Sequence, residues 1–282
     1  VNDAPALREA HIGIAMGRAG TDVAKAAADM VLLDDNFASI VAAIEEGRAV
    51  FDNIRKFLAY ILTSNVPEAV PYVSFVLLGI PLPLTVIQVL AVDLGTDMLP
   101  ALALGAEAPH PGVMQRPPRP RSQRLVDRAL AIRAYAWLGG LEAAAAMCAY
   151  ASVLWAGGWA FGQPLAGDDP LYRQATTACF GAIVLMQVAN VWVCRSEREP
   201  LIGDLRPPRN RLLLAAVAIE LLTLAAIVWT PWGNTVVGTA PLDPRAWLAV
   251  IPFAMVMIVG EELRKRHASR RTKPFAAPGP AS

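Results

Sequence analysis

The chain has 282 residues, is 55% hydrophobic and carries a formal net charge of only +1, with the apolar residues gathered into long blocks. That composition excludes a disordered chain and an evenly basic nucleic-acid binder, and it defines a membrane protein. Cys148, Cys179 and Cys194 fall in or at the ends of apolar blocks with no C-x-x-C pair, so they read as small core residues and not as a disulfide or zinc framework.

The first fifty residues have a different grammar. Ala4 to Ala10 predicts a short helix with Asp3 as its N-cap, followed by a strand-like His11-Ile-Gly-Ile-Ala-Met16. Thr21 to Ala28 predicts a second helix, capped at Gly20 or Thr21, and Met30-Val-Leu-Leu33 a second buried strand. Helix, strand, helix, strand is the pattern of the tail of an α/β domain. Such a piece is too short to cover both faces of a parallel sheet, so more of the domain is expected before Val1. The opening Val in place of Met agrees with a fragment or a truncated reading frame. From Phe37 the apolar positions Ile40, Val41, Ile44, Val50, Phe51, Ile54, Phe57 and Leu58 recur with helical spacing, and no proline interrupts them before Pro67. One long helix is expected, entering the membrane near Arg55 and Lys56 and linking head to membrane.

Six apolar blocks are each long enough to cross a hydrocarbon core of about 30 Å: Phe57 to Gly79, Leu84 to Leu104, Ala129 to Trp155, Ala175 to Val193, Leu212 to Thr230 and Ala246 to Gly260. The third and fourth are separated by Gly157, Gly158, Pro164 and the acidic Gly167-Asp-Asp-Pro170. Basic residues alternate along the connections. Arg116, Arg119, Arg121, Arg124 and Arg128 follow the second span, and Arg195, Arg198, Arg206, Arg209 and Arg211 the fourth. Arg264, Lys265, Arg266, Arg270, Arg271 and Lys273 follow the sixth, whereas the other three connections hold only Arg173 and Arg245. The positive-inside rule puts the basic set, and both termini, in the cytoplasm. The Arg/Pro run at Arg116 to Arg124 is read the same way, as topology and not as a nucleic-acid patch.

Polar residues inside these spans are the candidates for chemistry. Asp93 and Asp97 sit in Val92-Asp-Leu-Gly-Thr-Asp-Met98. An ionised carboxylate near the middle of a membrane helix costs roughly 2.5 to 3.5 kcal/mol, so it is by default functional and has a partner. Four residues apart, the two acids share a helical face, and a bound cation or proton relieves their repulsion. Gly95 lets the backbone between them loosen, and Thr96 adds a neutral oxygen. In the first span Asn65 and Glu68 lie three apart, again on one face, with Tyr60, Thr63 and Ser64 on the preceding turn. Pro67 and Pro71 have no N–H, which frees the carbonyls of Thr63 and Pro67 to face an ion. Hard oxygen donors of this kind suit Na⁺, K⁺, Ca²⁺ or H⁺ and disfavour copper or zinc. Gln187 and Asn190 in the fourth span and Glu220 in the fifth are further polar groups. Glu142 in the third reads as a packing or interfacial residue as readily as a functional one, and Gln88 as structural.

Five head and stalk motifs carry a resemblance: Val1-Asn-Asp-Ala-Pro-Ala-Leu7, Thr21-Asp-Val-Ala-Lys25, Ala28-Asp-Met-Val-Leu32, Asp34-Asp-Asn-Phe37 and Asp52-Asn-Ile-Arg-Lys56. It continues through Leu62-Thr-Ser-Asn-Val-Pro-Glu68, Ile80-Pro-Leu-Pro-Leu84, Val92-Asp-Leu-Gly-Thr-Asp97, Arg116-Pro-Pro-Arg119 and Gln187-Val-Ala-Asn190. Over nearly its whole length the chain resembles the C-terminal portion of type II P-type cation-transporting ATPases. The resemblance implies a mainly α, polytopic membrane protein: six transmembrane helices preceded by a partial α/β (HAD-like) phosphorylation-domain tail. It implies a phosphorylation-domain remnant at 1–36, a stalk helix at 37–56, a cation-transport domain at 57–264 and a basic cytoplasmic tail at 265–282. It also implies an ATP-hydrolysing ion translocase that uses ATP and Mg²⁺, in a plasma (inner) membrane.

By the same resemblance Asn2 and Asp3 border the phosphoryl and magnesium site, where fixed groups stabilise charge on the transferring phosphoryl. The phosphorylated D-K-T-G-T motif and the nucleotide-binding domain do not occur in this sequence, so the fragment alone is expected to be inactive and to need the rest of the pump. The metal-binding set implied is Tyr60, Thr63, Ser64, Asn65, Glu68, Asp93, Thr96, Asp97, Gln187, Asn190 and Glu220. Gln187, Asn190 and Glu220 resemble the lining of an additional sodium site in the sodium/potassium branch, although Asn190 departs from an acid there. Pro67 and Asp93 resemble the sodium/potassium and proton/potassium branch, and Ser64 argues against the proton/potassium pumps. A monovalent cation is the expected cargo, with Ca²⁺ as the alternative. A free-standing six-span channel or subunit and a gene remnant are the competing readings, and an accessory subunit is left open.

Overall fold

The computed structural model describes residues 3–120, 122–197 and 209–271. The chain divides between Val50 and Phe51 into two compact units.

The first unit contains α1 (Ala4–Glu9), β1 (Ile14–Met16), α2 (Asp22–Ala27) and β2 (Met30–Leu32). The strands pair in parallel, Ile14 opposite Met30, Ala15 opposite Val31 and Met16 opposite Leu32. Thr21 caps α2 by accepting the Ala24 N–H, as its position before an apolar-periodic run demands. Asp3 is corrected: it occupies the N-cap position of α1, but its side chain makes no capping hydrogen bond, and Pro5 supplies the helix start instead. Asp35 adopts a left-handed backbone with φ 57°. Its carboxylate there accepts from the N–H groups of Arg18 and Ala19, both at 2.8 Å, and the Arg18 N–H holds it below the usual carboxylate range. This clasp fastens the turn after β2 to the turn after β1.

Helix α3 (Ala38–Leu78) is continuous through Pro67 and Pro71. Its C-terminal half is the first of six helices long and apolar enough to cross a membrane. The second span is composite, with α4 (Val86–Leu90), a π-helical segment (Ala91–Asp97) and α5 (Met98–Gly105). So is the third: α6 (Arg128–Ala131), a π segment (Ile132–Leu138) and α7 (Gly139–Ala156). The fourth and fifth are α8 (Pro170–Cys194) and α9 (Arg211–Trp229), with the short α10 (Pro231–Val237) after it. The sixth enters as a 3₁₀ turn (Pro244–Val250) and continues as α11 (Ile251–Arg271). Helix α11 thus runs past residue 264, where the sequence places the start of the tail, and Lys265 is fully buried with its Nζ on the Val193 carbonyl at 2.8 Å.

Helix α8 is the centre of the bundle, with 83% of its apolar window buried. Small residues let the neighbours approach, since without a water-driven force membrane helices pack by close van der Waals contact. Gly181 lies against the Trp247 ring and Gly139 against Val66, positions where any Cβ would collide.

Two polar belts tie the ends of the spans. At one end Glu107 accepts from Lys56 Nζ at 2.8 Å and Arg195 Nε at 2.6 Å, and its carbonyl from Asn53. Arg55 holds Glu197, Asp127 and the carbonyls of Arg124 and Leu125. Arg133 pairs with Glu261 at 2.8 Å, joining third and sixth spans. At the other end Tyr150 donates to the Pro81 carbonyl, Tyr172 to that of Leu82, and Arg173 to that of Asn234. Gln88 is structural: it closes a capping box with Thr85 and reaches Thr176.

Candidate cation site

The composite second span follows from its side chains. Gly95 offers no Cβ to hold the helix in register, and the Thr96 hydroxyl takes the Val92 carbonyl at 2.9 Å. A hydroxyl bonded back to the i−4 carbonyl competes with the α-helical ladder and loosens it. The result is a π segment, a form that recurs at functional sites, and it carries Asp93, Thr96 and Asp97 together.

Asp97 is the most deeply placed acid of this span, 2% exposed. Tyr60, fully buried on α3, brings its hydroxyl to Asp97 Oδ1 at 3.5 Å, and the Thr96 hydroxyl lies 3.4 Å from the same oxygen. Asp97 Oδ2 has no hydrogen-bond partner. Thr63 and Ser64 are buried on the same face of α3, their hydroxyls bonded to the carbonyls of Ala59 and Ile61. The two aspartates do not share one environment: Asp93 is exposed, as is Asn65, while Glu68 is half-buried. Glu68 Oε1 is buried with no hydrogen-bond partner, and Asp93 and Asp97 are near enough to act on Glu68 electrostatically.

The second half of the site lies on α7, α8 and α9. Glu220 is 1% exposed with neither carboxylate oxygen partnered. Gln187 and Asn190 are fully buried, and the Asn190 amide donates to Gln187 Oε1 at 3.3 Å. Gln187 donates to Glu142 Oε2 at 3.2 Å. Glu142, which the sequence left between packing and function, is wholly buried, with Oε1 unpartnered. Its signal was present as a lone acid before the run Ala143 to Ala146, inside a span and with no basic residue near it in sequence.

Of the expected ligands, the structure gathers Tyr60, Thr63, Ser64, Thr96 and Asp97 in the buried centre and sets Asn65, Glu68 and Asp93 at its open edge. Gln187 and Asn190 join Glu142, and Glu220 is close enough to Asp97 to act on it electrostatically. Among the described residues no three His, Cys, Asp or Glu side chains alone form a tight metal cluster. The donors are mixed carboxylate, hydroxyl and amide oxygens, a set suited to hard cations. Asn2 lies outside the described residues, and Asp3 is exposed on the first unit.

Six membrane-crossing helices surrounding unpaired buried acids define an integral membrane protein of the cation-handling class. The chain belongs to the cation-transporting ATPases: the family "Cation transporting ATPase, C-terminus" matches residues 81–267. It is 37% identical over 290 residues to the sodium/potassium-transporting ATPase subunit alpha-1 of Catostomus commersonii, covering 94% of this chain and 28% of the relative. It is 39% identical to the alpha-4 subunit of Homo sapiens, with the same coverages, and 38% identical over 296 residues to that of Rattus norvegicus, covering 96% and 29%. The chain therefore spans somewhat more than a quarter of the length of these relatives.

Proposed function

We propose that this chain is the membrane-spanning C-terminal part of an ATP-driven cation pump of the sodium/potassium type. The observation that carries the reading is the burial of Asp97 with one oxygen unpartnered, faced by Tyr60, Thr96 and the acids Glu68 and Glu220. Burying such charge costs several kcal/mol per ion unless a counter-charge accompanies it. A cation entering this space supplies that charge. Its ligands come from the π segment, whose irregular backbone is tolerated at membrane depth where it lines a cavity, and from the proline-freed carbonyls of α3.

In this reading residues 1–36 are the end of an α/β phosphorylation domain of HAD-like type, and 37–56 form the stalk. The exposed edge carrying Asn65, Asp93 and the half-buried Glu68 faces membrane helices contributed by the preceding part of the pump. That part also supplies the nucleotide domain and the phosphorylated aspartate, with ATP and Mg²⁺ as cofactors and Asn2 and Asp3 bordering the phosphoryl site. The basic connections after the second, fourth and sixth spans favour both termini in the cytoplasm, and the pump reading favours a plasma (inner) membrane. Identity to sodium/potassium-transporting subunits favours a monovalent cargo over Ca²⁺.

The test is ATP hydrolysis by the intact pump in membranes, titrated separately with sodium, potassium and calcium. Vanadate-sensitive hydrolysis stimulated by sodium is expected. Stimulation by calcium alone contradicts the cargo assignment, and no cation stimulation at all contradicts the pump reading. The purified 282-residue chain is expected to hydrolyse no ATP.

A further inference from the structure

The hairpin Gly79 to Thr85 joins the two helices that carry most of the expected ligands, α3 with Tyr60 to Glu68 and the second span with Asp93, Thr96 and Asp97. Gly79, at φ 65°, closes α3 with its N–H on the Phe75 carbonyl, and Thr85 opens α4 as its cap. Between them Pro81 and Pro83 have no N–H, so the carbonyls of this stretch need donors from elsewhere. They find them on α7 and α8. Tyr150, 1% exposed on α7, donates to the Pro81 carbonyl at 2.7 Å, and the half-buried Tyr172 on α8 donates to the Leu82 carbonyl at 3.0 Å. Thr176, four residues on and on the same face of α8, meets Gln88 Nε2 at 3.4 Å. Ile80 borders an apolar cavity of about 620 Å³ lined also by Leu78, Leu154 and Phe253. The hairpin thus borders open space and is pinned to α7 and α8 by two phenol hydroxyls.

We propose that Tyr150 and Tyr172 are positioning residues that latch the outer end of the ligand-bearing helix pair, and that their release from the Pro81 and Leu82 carbonyls opens the cation site to the outer face; this rests on the reading of the domain as part of a cation pump. Transport requires a buried site that opens to each face in turn. Opening toward the hairpin requires the ends of α3 and α4 to shift against α7 and α8, which the two hydrogen bonds oppose. Asp93 lies roughly 12 Å further along the span than Thr85, at about 1.5 Å per residue, so the hydroxyls act on the site through the helix ends and not as ligands. Each bond of this kind is worth roughly a two- to tenfold shift in an equilibrium, strong enough to hold the closed form and weak enough to cycle. Breaking both raises the fraction of pumps open to the outer face, and apparent affinity from that face improves with that fraction.

The experiment uses the intact pump reconstituted in sealed vesicles, with ATP supplied to its cytoplasmic face and sodium and potassium each titrated on either face. The double variant Tyr150→Phe with Tyr172→Phe removes only the two hydroxyls. Its half-saturating concentration for the cation that stimulates hydrolysis from the outer face is expected to fall about fivefold, while that for the cation acting from the cytoplasmic face does not fall. Each single variant is expected to shift the outer value the same way by a smaller factor, and the pair of single variants decides should the double variant fail to fold. An unchanged or raised outer value overturns the latch. A parallel fall on both faces overturns it as well, since that marks a change in the ligands' own affinity, and parallel weakening on both faces marks a merely structural role. A wild-type pump with no cation stimulation sinks the pump reading itself, whereas stimulation that the substitutions leave unmoved sinks only the latch.

Discussion

Single side chains in this bundle divide into acids that are paired and acids that are not. Glu107 is paired twice, with Lys56 and Arg195. Removing one member of a buried ionic group leaves uncompensated charge and costs roughly 3 to 5 kcal/mol. Glu107→Ala is therefore expected to lower the thermal stability of the detergent-purified protein markedly, and an unchanged melting profile counts against the clamp. Asp127 shows the pH side of the same physics. Burial raises its carboxyl, but the Leu130 N–H and the Arg55 guanidinium outweigh that and hold it below the ordinary value of 3.8. A carboxylate depressed in the folded state contributes stability that is present above the unfolded pKa and is lost as pH falls through the folded one. The stability gap between wild type and Asp127→Asn should thus be open at neutral pH and close below about pH 4; a gap independent of pH contradicts the assignment. Of the residues, Asp97 was legible in the sequence because an acid is out of place in an apolar span. Glu142 stood out as a lone acid in its span, but its task was not legible, because its partner Gln187 lies 45 residues away and only packing brings the two together.

Helices are the scale at which close approach is set. Gly181 receives the Trp247 ring, so Gly181→Leu forces α8 away from the sixth span and is expected to cost about 1 to 3 kcal/mol. Gly140 has nothing within 4 Å of a built Cβ, and Gly140→Ala is the matched substitution expected to be tolerated. Comparing the two by fluorescence-detected thermal unfolding tests the packing, and equal behaviour contradicts it. The long α3 was legible from unbroken periodicity up to Pro67, and it passes the prolines because a helix loses one hydrogen bond at each, not its course. The ends of α11 were less so. Charge suggests a tail after residue 264, yet Lys265 finds the Val193 carbonyl and the helix continues to Arg271. A basic residue facing a buried carbonyl cannot be told from a solvated one by sequence alone.

At the level of the whole molecule the alternation of basic and acidic connections fixes two sides. Single cysteines placed at residue 123 and residue 167 are expected to react with a membrane-impermeant reagent from opposite faces of sealed vesicles; labelling from one face contradicts the topology. The six spans were readable from apolar length alone, whereas the burial of Asp97 beside an exposed Asp93 was not, since their four-residue spacing predicts one shared face.

Asp97 is buried with one oxygen unpartnered where α3 meets the π segment. The most direct test is phosphoenzyme formation from radioactive ATP by the intact pump, titrated with its stimulating cation, in wild type and Asp97→Asn. The variant is expected to express normally, with cation-stimulated phosphorylation abolished or shifted to far higher cation concentration. A variant whose phosphorylation follows the same cation titration as wild type contradicts the site and the function built on it.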